Sequence, residues 1–429
     1  MPVRRYASFL IAASLLSTPA WALLMSPKGM PDIPSANQSP SVQRYEAGMS
    51  ALTRKNWRDA ETAFQEAAKL DPTSPLPLIG LADVAVQTNL NSAAWSWLQK
   101  AQSVAPKSGL PYHAMGRLHY QEKAYAKAEQ ALRKALALSP DNPLFNLDMA
   151  DLYANALKKP EAAIPYYRKA RALSPRHAGA HHGLGMVLWK TGKGGEAEPM
   201  LRKAIELAPA NPLSRIALGT LLMEQNKPES ALAAFDGALK LDPRLVPAIM
   251  GKGDVYLGQG KMKEAHAAYH SAAQLAPKYD MAQLKLGMAL QGLNRVKQAE
   301  KAYKAAISAN PKLALAYNNL AWMAAESRSN LEQAAQWARK AVELAPTVPA
   351  FLDTLGWVYQ AQGKYADAEK TLKQAIQLQA TPEFYYHLGV VYQAQSKTAD
   401  AEAAFRKSLS LQQNFAPSQR ALAVLKKKP

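Results

Sequence analysis

Residues 244–277 read RLVPAIMGKGDVYLGQGKMKEAHAAYHSAAQLAP, and this stretch decides the fold. It ends on a proline and begins directly after one. The same proline recurs at Pro72, Pro106, Pro140, Pro175, Pro209, Pro243, Pro277, Pro311 and Pro346, at gaps of 34 or 35 residues. Three columns of small residues keep step with it. The first runs Gly48, Ala82, Gly116, Ala150, Gly185, Gly219, Gly253, Gly287, Ala321, Gly356, Gly389. The second includes Ala60, Ala231, Ala265 and Ala401, the third Ala67, Ala238, Ala272 and Ser408. Four columns in register over eleven copies mark internal repetition.

Each copy has one physical reading. Two amphipathic helical segments of about 14 residues flank a tight turn. The turn is Gly260-Lys261-Met262 in the quoted copy and Gly363-Lys364-Tyr365 further on. The small columns mark close helix approach, and large residues such as Leu184, Leu188 and Leu201 fill the space between. The proline stops the second helix. No copy can bury its apolar face alone, so the copies must stack. The expected fold class is an all-α solenoid of helix-turn-helix units.

The small columns, the large apolar residue before the third of them and the terminal proline resemble the tetratricopeptide repeat (TPR) over about residues 41–413. The resemblance implies a right-handed superhelix of about eleven repeats. Repeats four and nine carry an extra residue between their helices, at Leu157-Lys158-Lys159-Pro160 and Ser327-Arg328-Ser329-Asn330. Repeat ten is one residue short. Residues 414–429 read as a capping helix with a basic tail, whose lysines suit the negative end of its dipole.

Ahead of the repeats, Arg4 and Arg5 precede a mostly apolar run from Tyr6 to Leu16, and Ala20-Trp21-Ala22 reads as a cleavage site. Residues 1–22 are therefore expected to be a signal peptide, cut after Ala22. The paired arginines suit twin-arginine export. A hydrophobic core follows them directly, however, and no cofactor motif calls for folded export, which favours the Sec route. Residues 23–40 carry four prolines and read as an extended tether. No apolar run after Ser41 is long enough for a membrane span, and the expected location is periplasmic or secreted.

The chain has no cysteine, which excludes a disulfide framework, a thiol nucleophile and cysteine-ligated zinc. Its formal net charge of +19 falls to +17 without Arg4 and Arg5. Such an excess suits an acidic partner, although charge spread along a chain is ordinarily a solvated surface. Nucleic acid is disfavoured by the export signal and by the lack of an RRM, KH or helix-turn-helix signature.

Tests for catalysis return nothing. His266 and His270 stand at i, i+4, but no HExxH motif and no third ligand accompany them. His181 and His182 are adjacent and do not share a helix face. Gly258-Gln259-Gly260-Lys261 lacks the strand and spacing of a phosphate loop. No Gly-x-Ser-x-Gly elbow occurs. The many carboxylates recur at regular helix positions and read as solvated surface. The expected protein is not an enzyme and needs no cofactor or metal.

In the family, first helices line a concave groove, and the resemblance implies which positions point inward. Mapped here, they bring in His113, Arg117 and Tyr120, then His182, Met186 and Trp189, then Met223, Met281 and Met288. Towards the C-terminus they bring in Asn318, Trp322, Asp353, Trp357, Tyr386 and Gln393. Trp322 and Trp357 share one column, which elsewhere holds Asp83, Arg117, Asp151, Thr220 and Asp254, so that column is not obligatory core. The tryptophan pair is expected to form a stacked or stepped lining, a usual anchor for a peptide or a sugar ring. Asn318 and Asn319 match in part the clamp that some members use for acidic C-termini, but Asp353 and Asp254 are acidic.

The tracts Tyr317–Trp322, Phe351–Trp357 and Tyr385–Gly389 resemble C-terminal repeats of bacterial envelope TPR proteins, some associated with exopolysaccharide or exosortase-type systems. That resemblance implies a periplasmic scaffold that binds protein partners in envelope assembly or secretion. The alternatives are direct binding of an acidic polysaccharide and a homo-oligomeric structural scaffold.

Overall fold

A computed structural model describes residues 39–425 of the chain. The expected signal peptide, the tether up to residue 38 and the terminal lysines lie outside the described residues. Among the described residues there are helices and turns and no strand. None of the helices is long and apolar enough to cross a membrane.

The chain divides into two compact units at Pro243/Arg244. The first holds α1 (Pro40–Thr53), α2 (Trp57–Leu70), α3 (Leu76–Gln87), α4 (Asn91–Val104), α5 (Gly109–Gln121), α6 (Tyr125–Leu138), α7 (Pro143–Asp151), α8 (Pro160–Leu173), α9 (Ala178–Lys190), α10 (Gly194–Leu207), α11 (Leu213–Glu224) and α12 (Pro228–Leu239). The second holds α13 (Val246–Gly258), α14 (Met262–Leu275), α15 (Asp280–Gly292), α16 (Val296–Ala309), α17 (Ala314–Glu326), α18 (Leu331–Leu344), α19 (Pro349–Ala361), α20 (Tyr365–Leu378), α21 (Pro382–Ala394), α22 (Thr398–Leu411) and α23 (Ala416–Leu425). Within each unit every first helix packs on its own second helix, and that second helix packs on the next first helix. The result is the all-α solenoid the repeat required.

The first small column sits beneath a large side chain sixteen residues further on. A Cβ on Gly48 would stand 2.6 Å from the Phe64 ring, and one on Gly219 would stand 2.7 Å from Phe235. Gly253 meets Tyr269, Gly287 meets Tyr303, and Gly389 meets Phe405 in the same way. Leu132, Leu201 and Leu372 fill the equivalent place over Gly116, Gly185 and Gly356. These large residues are fully or almost fully buried, each worth roughly 2–3 kcal/mol of transfer free energy.

The turns inside the repeats share a second constraint. Lys55, Asn89, Lys123, Lys158, Gly192, Asn226, Gly260, Asn294, Arg328, Gly363 and Ser396 all have φ between +48° and +77°. Only three of these left-handed residues are glycine. The lysines, the arginine and the serine accept a strain of about 1–2 kcal/mol that the flanking helices impose.

The two insertions are absorbed differently. In repeat four the extra residue does not lengthen the loop. It widens the end of α7 into a π-helical turn at Leu152–Ala156, where the Leu157 amide donates to the Leu152 carbonyl at 2.9 Å. In repeat nine it enters the turn, where Arg328 and Asn330 are both left-handed. At the C-terminal end, α23 caps the last core. The Ser418 hydroxyl donates to the Ser408 hydroxyl at 2.7 Å, while Ala421, Leu422 and Leu425 pack beneath. Ser408, in the third column, is fully buried where α23 packs.

Replacing Gly219 by leucine forces a side chain into the space of buried Phe235. Gly219→Leu is expected to destabilise the first unit by on the order of 3 kcal/mol, measured by urea denaturation followed by far-UV circular dichroism.

Candidate binding groove

In the first unit, the first helices present one column into a shared space. The residues after four of the first-column small residues are Asp83 on α3, Arg117 on α5, Asp151 on α7 and Met186 on α9. Each small residue must face its own second helix, so the next residue is turned about 100° away, towards the inner side. All four line a cavity of about 750 Å³, together with Tyr120, Asp148, Asn155, Tyr167, His182 and Ser214.

The charges along this column alternate: acid, base, acid. Burial works to raise the Asp148 carboxyl, but its 2.7 Å hydrogen bond to His113 Nε2 and the charges of His113 and Arg117 outweigh it and hold the group low. Burial raises Asp83, against the opposing pull of Arg117 and His113. Burial pushes Asp151 up to about 7, against the hydrogen bond that the Tyr167 hydroxyl donates to it and with help from nearby Asp148. Lys55, Arg117 and Lys190 line the same cavity. The burial that raises Asp151 also pushes His182 down to about 4, leaving that ring neutral beside the Ser214 hydroxyl at 2.9 Å. The unit therefore holds ionisable groups where their charged forms are disfavoured, a pattern that concentrates at functional sites.

The second unit gathers a different set. The rings of Trp322 on α17 and Trp357 on α19 lie 6.3 Å apart at 22°. His387 on α21 lies 4.5 Å from Trp357 and 5.7 Å from Trp322, so the three rings close a triangle. His387 Nδ1 is 2.7 Å from the buried Asp353 carboxylate. The Trp357 indole donates to Glu326 at 2.8 Å. Tyr386 stands 5.7 Å from His387 and 5.9 Å from Phe405.

The residues expected from sequence thus separate into two groups. Arg117, Tyr120 and His182 meet in the cavity of the first unit, while Asp353, Trp322, Trp357 and Tyr386 meet around His387 in the second. Trp189 stands apart from the cavity, its indole donating to Glu224. Asn319 is hydrogen-bonded to the buried Tyr303 hydroxyl, and the Asn318 side-chain oxygen is buried without a hydrogen-bond partner. Sequence reasoning read the carboxylates in general as solvated surface and did not single out Asp83, Asp148 or Asp151, although Asp83 and Asp151 share the column of Trp322 and Trp357. Asp83, Asp148 and Asp151 instead line the cavity. It also passed over His387. A usable signal existed: polar partners recur about one repeat apart, as in His113 with Asp148, Trp189 with Glu224 and Asp353 with His387.

Asp151 binds its proton more tightly in the fold than in the unfolded chain. Its contribution to stability is therefore lost as pH rises from the ordinary carboxyl range through about 7. Asp151→Asn keeps the shape and removes the charge. Its stability relative to wild type is expected to rise by more than about 1 kcal/mol between pH 5 and pH 8, measured by thermal and urea melts at both pH values. Trp357→Ala, which opens the ring triangle, is expected to cost the second unit about 3 kcal/mol, measured by loss of its transition midpoint in guanidinium.

Five segments of the chain, 45–109, 147–212, 216–280, 284–349 and 354–417, match a family model described as tetratricopeptide repeat, and 110–142 matches a second model of the same description. Among curated proteins, anaphase-promoting complex subunit 6 of Arabidopsis thaliana is 28% identical over 150 residues, 34% of this chain and 27% of that protein. A TPR repeat-containing protein of Pseudomonas aeruginosa is 42% identical over 64 residues, 15% of this chain and 11% of that one. The chain thus spans about a quarter or less of the length of these relatives. Among solved structures, a chain of the APC/C hetero-tetramer Cut9-Hcn1 aligns with TM-score 0.50 and 14% identity, over 91% of this chain and 97% of that one. At that identity the likeness is one of fold.

Proposed function

Because the chain belongs to the tetratricopeptide-repeat family, we propose that it is an exported, non-enzymatic scaffold that holds protein partners in its inner groove, in envelope assembly or in polymer or protein secretion. The observation that carries the binding reading is the cavity of about 750 Å³ in the first unit. Burial there disfavours the charged forms of Asp151 and His182, a pattern that suits a binding site. A TPR fold is generally a scaffold for protein–protein contacts. Export rests on the signal-like residues 1–22, and the envelope setting on the tracts at 317–322, 351–357 and 385–389.

A second reading, direct binding of an acidic polysaccharide, draws on the +19 charge and the tryptophan pair. The triangle with His387 turns part of each indole towards another ring, which leaves less face for a sugar to stack on.

The test is affinity capture from a bacterial envelope extract, using wild-type chain from residue 23 onward beside Met186→Glu and a Trp322→Ala, Trp357→Ala double variant. A protein retained by wild type and by the tryptophan variant, and lost with Met186→Glu, is the expected result. Loss with the tryptophan variant alone would move the site to the second unit. Absence of any groove-dependent protein, with retardation of the chain by an acidic glycan in a native gel, would replace the scaffold reading with the polysaccharide one.

A further inference from the structure

One column on the second helices, outside the cavity lining, breaks its own pattern. In repeats three, five, eight, ten and eleven, the residue after the second-column alanine is a glutamate: Glu129, Glu198, Glu300, Glu369 and Glu402. Each is ion-paired with the base four residues on, Arg133, Arg202, Lys304, Lys373 or Arg406, at 2.6 to 2.8 Å. Two of them also hold the N-cap residue of the next second helix. Glu198 reaches Lys227 before α12 at 3.0 Å, and Glu369 reaches Lys397 before α22 at 3.1 Å. In these two repeats one carboxylate stands between two bases.

Repeat seven keeps the frame and lacks the acid. His266 follows Ala265, His270 stands four residues on, and Arg295 is the N-cap residue of α16. These three therefore take the places of Glu369, Lys373 and Lys397. The two imidazole rings lie 5.8 Å apart at 29°. Burial, Arg295 and His270 all hold His266 below the ordinary imidazole range, and no carboxylate is among the groups acting on it. Glu264, two residues earlier, is turned about 200° around α14. Among the described residues, neither ring nor the Arg295 guanidinium has a hydrogen-bond acceptor or an ion-pair partner. A metal ion does not suit the place, because Arg295 repels it and no cluster of three metal-ligating side chains occurs among the described residues.

We propose that His266, His270 and Arg295 form a carboxylate-binding site that takes an aspartate or glutamate side chain of a partner protein. The repeats themselves identify the occupant, since five of them place a glutamate side chain here. This goes beyond the groove reading and can fail without it, because the site lies in the second unit. A carboxylate would accept charge-assisted hydrogen bonds from the guanidinium and from protonated imidazole. It would favour the charged form of His266, which its present surroundings disfavour. Binding must then take up protons and be tighter at pH 6 than at pH 8. The formal net charge of +19 draws acidic partners from a distance.

The probe is an acetylated, amidated Gly-Glu-Gly-Glu-Gly peptide, titrated into the chain from residue 23 onward at pH 6 and low salt. Imidazole proton NMR reads the site, with signals assigned through His266→Gln and His270→Gln. Both signals are expected to move saturably with peptide and to titrate at higher pH in its presence. Salt should weaken the effect. Arg295→Gln should weaken binding about five-fold. His266→Glu rebuilds the pairing of the other repeats, so it should abolish binding and melt no lower than wild type. Lys370→Gln, at an exposed base in the same unit, should change nothing. The matching glutamine peptide should not bind. Circular dichroism melts show that each variant is folded. Unmoved imidazole signals in wild type, or equal binding by wild type and Arg295→Gln, overturn the proposal. Zinc ions that move both signals where the glutamate peptide does not would replace it with a metal site. An oligogalacturonate that binds where the peptide does not would replace the protein partner with a polysaccharide.

Discussion

One contact recurs through both units and the rest depends on it: a glycine of the first small column lies under a large side chain sixteen residues later. Where the small residue is glycine, the large one closes to a distance that no Cβ could share, as Phe64 does over Gly48 and Phe235 over Gly219. That contact sets the separation of the helix pair. With the separation set, the second and third alanine columns, fully buried at Ala60, Ala67, Ala265 and Ala272, become the surfaces on which the next repeat rests. Stability is then carried by nearest neighbours, repeat on repeat.

The same contact creates the groove. A first helix that turns its small residue to its own partner must turn the adjacent column elsewhere, and in the first unit that column reaches a shared cavity. The column is free of packing duty, so it can hold Asp, Arg, Asp and Met in succession without disturbing the solenoid. In the second unit two of the corresponding positions, 322 and 357, hold tryptophan, and these residues are drawn back into packing. Trp322, Trp357 and His387 close on one another, and Asp353 anchors the histidine. One scaffold thus carries a polar, open lining in one unit and an aromatic, self-satisfied one in the other.

Much of this was legible in the residues. The repeat period, the helix pairs, their short turns and the capping helix follow from columns that have a single physical explanation. Arg117, Tyr120 and His182 were found because the family resemblance implies that their positions point inward. Three things were not legible. Carboxylates spaced along helices look like solvated surface, and only the enclosure of Asp83 and Asp151 by several helices tells them apart. Tyr386 was read from its column, while His387, one residue on, is the ring that meets Trp357. The left-handed lysines at 55, 123 and 158 carry no propensity signal, because the turn is imposed on them by the helices they join.

The sequence by itself determined the architecture. A period of 34 residues with small residues at three fixed places permits one way of burying two helices and requires a neighbour to complete it. It also determined the family and which columns are free of packing. Tertiary structure alone decided which members of a free column are enclosed, which ionisable groups meet, and how repeat four accommodates its extra residue as a π-turn beside Asp151 rather than as a longer loop. The physical reason is that helical periodicity is local and is written in each repeat. Burial, field and proximity at the groove are sums over residues one to four repeats apart, and no single repeat contains them.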